Sequence, residues 1–409
     1  MFLYTPRVFT LGVFYFYGMN VVLFDDASSE HLRPFTLSKP SAYLRTGILT
    51  NVERWKQGLN PTSLSNLPFR SYLNSVFGKS EKGDLFINGR WLPTEKDFAL
   101  LLDLTMDQCL VSSAQEVLAC KTNPFQDLSN LEKREVHDAT VLRKPWEIFS
   151  NAGFWIQQDF QTLTRGCSSQ ALSSSNRVIG DPALVFLEEG AKAECAIFNT
   201  TSGPIYLGKN AEVMEGAIVR GPFSLGEKSQ VKMGAKIYED CIIGPFSKVG
   251  GEVGNSVIMG YSNKGHDGYL GNSVLGEWCN LGADTNTSNL KNNYAPVKLW
   301  NYSSKRFDNT GLQFCGLMMG DHSKSGINTM FNTGTVVGVG SNIFGDGFPR
   351  NFIPSFSWGG SSGFILHQFP KFLETAKIVY QRRGMEFDEN LVNLFQQIFT
   401  EETSTEQHA

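Results

Sequence analysis

Between residues 207 and 249 the apolar positions recur at every sixth residue. Leu207, Val213, Val219, Leu225, Val231, Ile237, Ile243 and Val249 are all aliphatic. Four residues after each of the first seven stands Ala211, Ala217, Phe223, Ser229, Ala235, Cys241 or Ser247, small in every case but Phe223. Glycine follows the aliphatic position at 208, 226, 244 and 250. Neither the 3.6-residue period of a helix nor the alternation of an ordinary strand produces this spacing. It predicts a solenoid in which each hexapeptide is one short flat strand and a turn. The aliphatic side chain points into a narrow triangular core, the small residue packs beside it, and Gly or Asn takes positive φ at the corner. Three hexapeptides close a coil, so this stretch spans between two and three coils.

The register falters after Val249 and returns at Leu275 and Leu281, then at Phe331, Val337 and Ile343. The Asn-rich stretch 284–293 between them reads as a loop projecting from the solenoid. Phe372, Ala376 and Val379, then Leu391, Leu394, Phe395 and Ile398, have helical spacing. They predict two short terminal helices, broken near Gly384, capping the open end. Upstream, apolar runs at 21–24, 85–87 and 183–187 alternate with helical stretches at 42–57 and 95–104, the pattern of an α/β domain with a partly parallel sheet. The division expected is a short extension at 1–18, an α/β domain at 19–195, the solenoid at 196–365, and helices with a tail at 366–409.

A chain of 409 residues suffices for two domains with separate cores. A net charge of −4 provides no basic footprint for nucleic acid. The seven cysteines are odd in number and contain no C-x-x-C pair, which reads as reduced thiols in a cytoplasm. The apolar stretch before Met19 is too short to cross a membrane and has no cleavage site, so no membrane partner is expected. A strand-like run begins directly after Met19, which makes Met19 the expected start of translation. Against this stands an ordinary N-terminal strand and turn; the intact mass of the native protein decides between them.

The stretch Gly265-His266-Asp267-Gly268-Tyr269-Leu270-Gly271-Asn272, followed by Asn280-Leu281-Gly282-Ala283, resembles the motif G-H-x-x-Y-[IL]-G-[DN]…N-[IF]-G-A. That motif marks the acetyltransferase half of the bifunctional enzyme that makes UDP-N-acetylglucosamine. The stretches 23–26, 45–50, 88–90 and 144–149 resemble the N-terminal half of a divergent, Bacteroidetes-type form of that enzyme, a sugar nucleotidyltransferase with hexapeptide repeats. The resemblance implies a nucleotidyltransferase-like (Rossmann-like) domain joined to a left-handed parallel β-helix, with acetyl-CoA, UTP and Mg²⁺ as co-substrates and cofactor, and a homotrimer.

It also implies site residues. Acetyl transfer to an amine needs a base near neutral pH, a role that suits His266; the alternative is a surface imidazole at a solenoid corner. Tyr269, Asn280 and Asn289 are implied on the sugar phosphate, with Lys248 and Lys264 as the nearest candidates for its phosphate, while a corner ladder is the other reading of the two asparagines. Ala283 is implied beside the thioester. His322, next to Asp321, is a second candidate base or an acetyl-CoA contact, together with Thr333. Lys305, Arg306 and Arg350 are candidates for the CoA phosphates.

The sequence departs from the family in several places, among them a shorter stretch before His266 in which Lys264 directly precedes Gly265. Leu290 stands where a Tyr is usual, the G-x-G-T-R loop is absent, and Asn88 replaces the usual metal-binding Asp. In the N-terminal half, Arg33 and Lys39 are the candidates for a triphosphate, Asp25 and Asp26 for Mg²⁺, and Asn88 and Arg90 for the nucleotide. A degenerate domain that only binds a nucleotide sugar is the alternative there.

Overall fold

The computed structural model describes residues 18–122, 125 and 128–404, with Ser129 by its backbone alone. The expectation about Met19 as the start concerns a segment, 1–17, that lies outside the described residues. The N-terminal half is a six-stranded mixed sheet. Strand Asn20–Phe24 runs parallel to Ser63–Leu67 on one side and to Leu85–Asn88 on the other. Val117–Lys121 pairs antiparallel with Leu85–Asn88 and with Gln108–Ser112, and the latter is parallel to Glu132–Val136. The sheet is therefore partly parallel, as the alternation of apolar runs and helical stretches implies.

Helix Asn51–Leu59 shows how local sequence sets its limits. The Thr50 hydroxyl accepts from the Glu53 N–H, while the Glu53 carboxylate accepts from the Thr50 N–H at 2.7 Å. This reciprocal cap satisfies N–H groups that a helix start leaves open. The helix ends at Asn60 in the left-handed region, and buries Trp55 edge-on against Trp91 at 5.1 Å.

The C-terminal half is a three-faced parallel β-helix. One face holds nine strands from Val185–Leu187 to Phe352–Ile353. The second holds ten, from Lys192–Ala193 to Gly363–Leu366, the last one antiparallel. The third runs from Arg177–Ile179 to Tyr269–Gly271. All eight aliphatic positions of the repeat lie inside, none above 2% exposed. The first coil starts at Arg177, which pairs with Ile197 in the next coil, and so precedes the expected boundary at 196. An end coil is covered on one side only, and Ile179 there stays 45% exposed; the aliphatic period has no reason to be strict.

The faltering register has a physical cause. After Val249 the chain cuts a corner: Val253 already faces Ile237, and the interior position opposite Val249 is filled by Lys264. A lysine occupies a core site.

The terminal helices, Phe369–Gln381 and Glu389–Ser404, break around Gly384 as expected. They lie along the corner between the first and second faces instead of capping the open end. Phe246, Tyr261, Trp278, His322 and Phe356 turn that corner with φ between 53° and 62°. The rings of the first four stack coil upon coil, at 5.1, 4.4 and 6.0 Å. Tyr380 stacks on Trp278 at 3.9 Å, and Phe372 and Phe395 close over His322. A long apolar ladder needs a cover along its length, which a cap on the end would not supply.

The first face is covered by the N-terminal domain. Leu32, Phe35, Leu142, Ile148 and Trp155 share a buried cluster with the outward side chains Ile242, Val257, Met259, Val274, Met318 and Val336. Burying such side chains is worth roughly 1.5–3 kcal/mol each. This buried cluster covers the first face and does not include the edge between the second and third faces.

Candidate active sites

His266 sits on that edge. The chain leaves the second face at Asn263–Lys264 and enters the third at Tyr269–Gly271, and the turn between carries His266 and Asp267, both exposed. The turn is tight because Gly268 adopts φ +105°, where a Cβ would come within 2.2 Å of the Thr285 carbonyl of the next coil. Lys264, 2% exposed, holds the turn from below. Its ammonium donates to the His266 carbonyl at 2.5 Å and to the Asp267 carbonyl at 3.0 Å. Burial pushes it down to about 8, against the pull of Asp267 and Asp284. Lys264 is thus an interior anchor of the His266 turn and no ligand for a substrate phosphate, a correction to the sequence expectation.

The quoted polar residues divide between the two faces that meet at this edge. On the third-face side, the Asn289 amide donates to the Tyr269 hydroxyl at 3.0 Å and to the Asn272 amide oxygen at 2.7 Å. Burial raises the Tyr269 phenol above its ordinary value, so it stays a neutral donor and acceptor. On the second face Lys248, Asn263 and Asn280 are in register on successive coils. Asn263 donates to the Asn280 oxygen at 3.4 Å. Lys248 is exposed, and partial burial with Lys232, Arg383 and Arg382 nearby lowers its ammonium. Ala283 follows Asn280–Leu281 on the turn one coil beyond His266, and the two turns are joined by the Asp284 N–H donating to the Asp267 carbonyl at 3.1 Å. Asn263 and Asn272 had no assigned role in the sequence reading. Asn263 could have been found one coil before Asn280, and Asn272 ends the quoted motif.

Three expectations for the donor side change. His322 is 3% exposed within the aromatic corner. Burial, with Lys324 and Lys39 nearby, holds its imidazole well below the ordinary range. It serves as a flat neutral ring in the ladder, closed to acetyl-CoA. Asp321 does not orient it, because that carboxylate faces Lys39. Thr333 is buried against the Ser288 hydroxyl at 2.7 Å. It follows the strand Met330–Phe331 that continues the third face, so it lies at the opposite edge of that face from the His266 turn. Arg350 lines a groove with Thr333 there. Lys305 is exposed, and Arg306 is paired with Asp308 at 3.2 Å.

In the N-terminal domain Asp25 and Asp26 follow Asn20–Phe24, and Asn88 ends the neighbouring strand. The C-terminal ends of parallel strands are where α/β sheets take ligands. Here, however, the charges are spent internally. Asp26 receives Arg90 through Nη2 at 2.7 Å and Nε at 3.2 Å, the Asn88 amide at 2.8 Å and the Ser28 N–H at 2.9 Å. Arg90, fully buried, also reaches Glu116 and the Leu142 carbonyl, both at 3.2 Å. Asp25 accepts from the Ser41 N–H and hydroxyl, and burial raises its carboxyl to about 6. These residues do not fit a protein-held Mg²⁺: a guanidinium already bridges both Asp26 oxygens, and the Asp25 carboxyl is engaged by the Ser41 N–H and hydroxyl. Asp25 and Asp26 as metal ligands, and Asn88 and Arg90 as nucleotide contacts, are corrected accordingly.

Lys39 and Arg33 are corrected too. Lys39, 4% exposed, bonds Glu277 at 2.7 Å and Asp321 at 2.9 Å on the β-helix. Burial alone would lower its ammonium, but the two carboxylates outweigh it and hold it above the ordinary lysine value. Arg33 pairs with Glu30 at 2.5 Å and Glu402 at 3.7 Å. Both are fastenings between the domains. Lys144, with His31 and Arg33, lines a small cavity between the domain and the 298–309 hairpin, while Arg143 is half-exposed and paired with Glu116.

The family model described as sugar nucleotidyl transferase matches residues 21–168. The bifunctional protein GlmU of Methanocaldococcus jannaschii is 42% identical over 93 residues, 23% of this chain and 22% of that protein. The bifunctional sugar-1-phosphate nucleotidylyltransferase/acetyltransferase of Sulfurisphaera tokodaii is 35% identical over 144 residues, 35% of each chain. The chain thus spans between about a fifth and a third of the length of these curated relatives. Among solved structures, UDP-N-acetylglucosamine acyltransferase from Campylobacter jejuni matches 56% of this chain and 83% of its own, at 17% identity and a TM-score of 0.30. The polysialic acid acetyltransferase NeuO covers 47% and 87%, at 16% identity and a TM-score of 0.26. No helix among the described residues is long and apolar enough to cross a membrane. Residues 21–168 therefore match the sugar nucleotidyl transferase family model, on one chain with a hexapeptide-type β-helix, and the chain is similar to the bifunctional sugar-1-phosphate nucleotidyltransferase/acetyltransferases over about a quarter to a third of its length.

Proposed function

We propose that the chain acetylates glucosamine-1-phosphate with acetyl-CoA on its β-helix and converts the product with UTP to UDP-N-acetylglucosamine on its N-terminal domain. The observation that carries this reading is the exposed His266 imidazole on a turn anchored by Lys264, at the meeting edge of two faces that present Asn280 and Tyr269–Asn289. The sugar amine attacks the thioester carbonyl, His266 takes the amine proton, and CoA leaves as its thiol. The Tyr269 and Asn289 pair suits sugar hydroxyls, and Ala283, on the turn one coil beyond His266, would lie beside the thioester, where a small side chain permits close approach. A cytoplasmic homotrimer, in which a neighbouring β-helix completes the groove along this edge, belongs to the same proposal. Mg²⁺ would arrive with the triphosphate of UTP, since the residues at Asp25 and Asp26 do not fit it. The test is CoA release from acetyl-CoA with glucosamine-1-phosphate. Wild-type turnover that falls about a hundredfold in His266→Ala supports the reading; no release with any amino-sugar phosphate sinks it.

One observation favours a narrower second reading for the N-terminal half. The Asp26–Arg90–Glu116 network neutralises the strand ends where a metal-bound triphosphate would sit, which suits a domain that binds a nucleotide sugar without transferring a nucleotidyl group. Pyrophosphate release from UTP and N-acetylglucosamine-1-phosphate separates the two.

A further inference from the structure

The insertion at 298–309 forms an antiparallel hairpin, Lys298–Asn301 with Arg306–Asn309, whose two faces do different work. Leu299 lies in the core shared with the N-terminal domain. Lys298, Trp300 and Phe307, on the other face, roof a groove of about 830 Å³ whose floor is Asn332, Thr333, Asn351 and Phe352, flanked by Lys291 and Arg350. That volume is of the size that takes a mononucleotide. The lining holds three cations and no carboxylate. Arg350 rests over the Phe364 ring at 5.5 Å, and Lys291 donates only to the Pro296 carbonyl, at 3.1 Å. Trp300 lies flat on Phe352 at 4.3 Å and edge-on to Phe307 at 5.4 Å, leaving Phe307 40% exposed. The buried Trp300 indole N–H has no hydrogen-bond partner among the described residues.

We infer that this groove is a binding site for a nucleoside diphosphate group, separate from the His266 edge and from the strand ends of the N-terminal domain. The base stacks on the open face of Phe307 and the phosphates meet Lys291, Lys298 and Arg350; the Asn332 NH2 and the Asn351 oxygen, the halves of those amides not bonded to the Thr333 backbone, suit ribose hydroxyls. Three uncompensated cations select the diphosphate, and the aromatic pair selects the base. Acetyl-CoA and a nucleotide sugar both carry such a group, and the inference does not depend on acetyl transfer at His266.

The experiment is calorimetric titration of the full chain with ADP and with UDP, then with acetyl-CoA and with UDP-N-acetylglucosamine. It is run on wild type, His266→Ala, Phe307→Ala and the double variant Lys298→Glu/Arg350→Glu, whose exposed positions leave the fold intact by circular dichroism. Affinity for at least one nucleoside diphosphate should fall tenfold or more in both groove variants and stay unchanged in His266→Ala. Loss confined to ADP and acetyl-CoA assigns the groove to the acyl donor, and loss confined to UDP and its sugar assigns it to the nucleotide sugar. If no nucleoside diphosphate binds wild type, or if binding is the same in the groove variants, the inference is overturned.

Discussion

Replacing Lys39 by methionine removes an ammonium from between Asp321 and Glu277 and leaves a buried carboxylate behind. Breaking a buried ion pair on one side costs about 3–5 kcal/mol, mostly through the charge left unpaired. The structure points to the lower end. Glu277 is 31% exposed and can turn to water, and Asp321 keeps the Ser38 hydroxyl at 2.7 Å and the Glu277 N–H at 2.8 Å. A loss of about 3 kcal/mol moves a urea midpoint by roughly 1–3 M, and the N-terminal domain should part from the β-helix in that transition. Adding Asp321→Asn removes the stranded charge and should recover much of the loss. The assay is urea unfolding of Lys39→Met, Asp321→Asn and the double variant, beside UTP titration of each. If Lys39→Met unfolds with wild type and binds UTP more weakly, Lys39 is a phosphate ligand after all and the fastening argument is refuted.

Other outcomes follow from single buried groups. Asp25 has its carboxyl raised from 3.8 to about 6, so the native state holds a proton that the unfolded chain releases; wild-type stability should fall by at most about 3 kcal/mol as pH rises through that window, and Asp25→Asn should abolish the fall. His322 is held neutral, so wild type should lose stability as pH drops below about 6.5, by up to about 1.4 kcal/mol per unit, and His322→Phe should resist acid better in thermal melts at pH 5. Trp278→Ala opens the aromatic corner under Tyr380 and should cost about 3–5 kcal/mol, with faster proteolysis near Gly384 as the readout. Lys264→Met fills the same core volume but frees the carbonyls of His266 and Asp267; turnover should drop while the melting temperature holds or rises, and unchanged turnover would mean the turn needs no anchor.

The six-residue period determined the β-helix from the sequence alone, because a solenoid buries each hexapeptide against its neighbours and leaves the same aliphatic trace at every step. The motif around His266 was legible for a related reason: one turn and the next three strands bring it together, so nearness in sequence is nearness in space. The mixed sheet and the terminal helices were legible as elements, from apolar runs and helical spacing. Their placement was decided only by tertiary structure. Nothing local distinguishes Lys39 or Arg33 as phosphate ligands from the same side chains as fastenings, since their partners Glu277 and Glu402 lie hundreds of residues away. His322 beside Asp321 reads as a catalytic pair until the corner turns one side chain into an aromatic ladder and the other towards Lys39. Lys264 reads as a surface cation until a shortened coil puts it in the core. Charge has no preferred place in a sequence; burial and the partner brought by the fold decide whether it binds a substrate or holds the protein together.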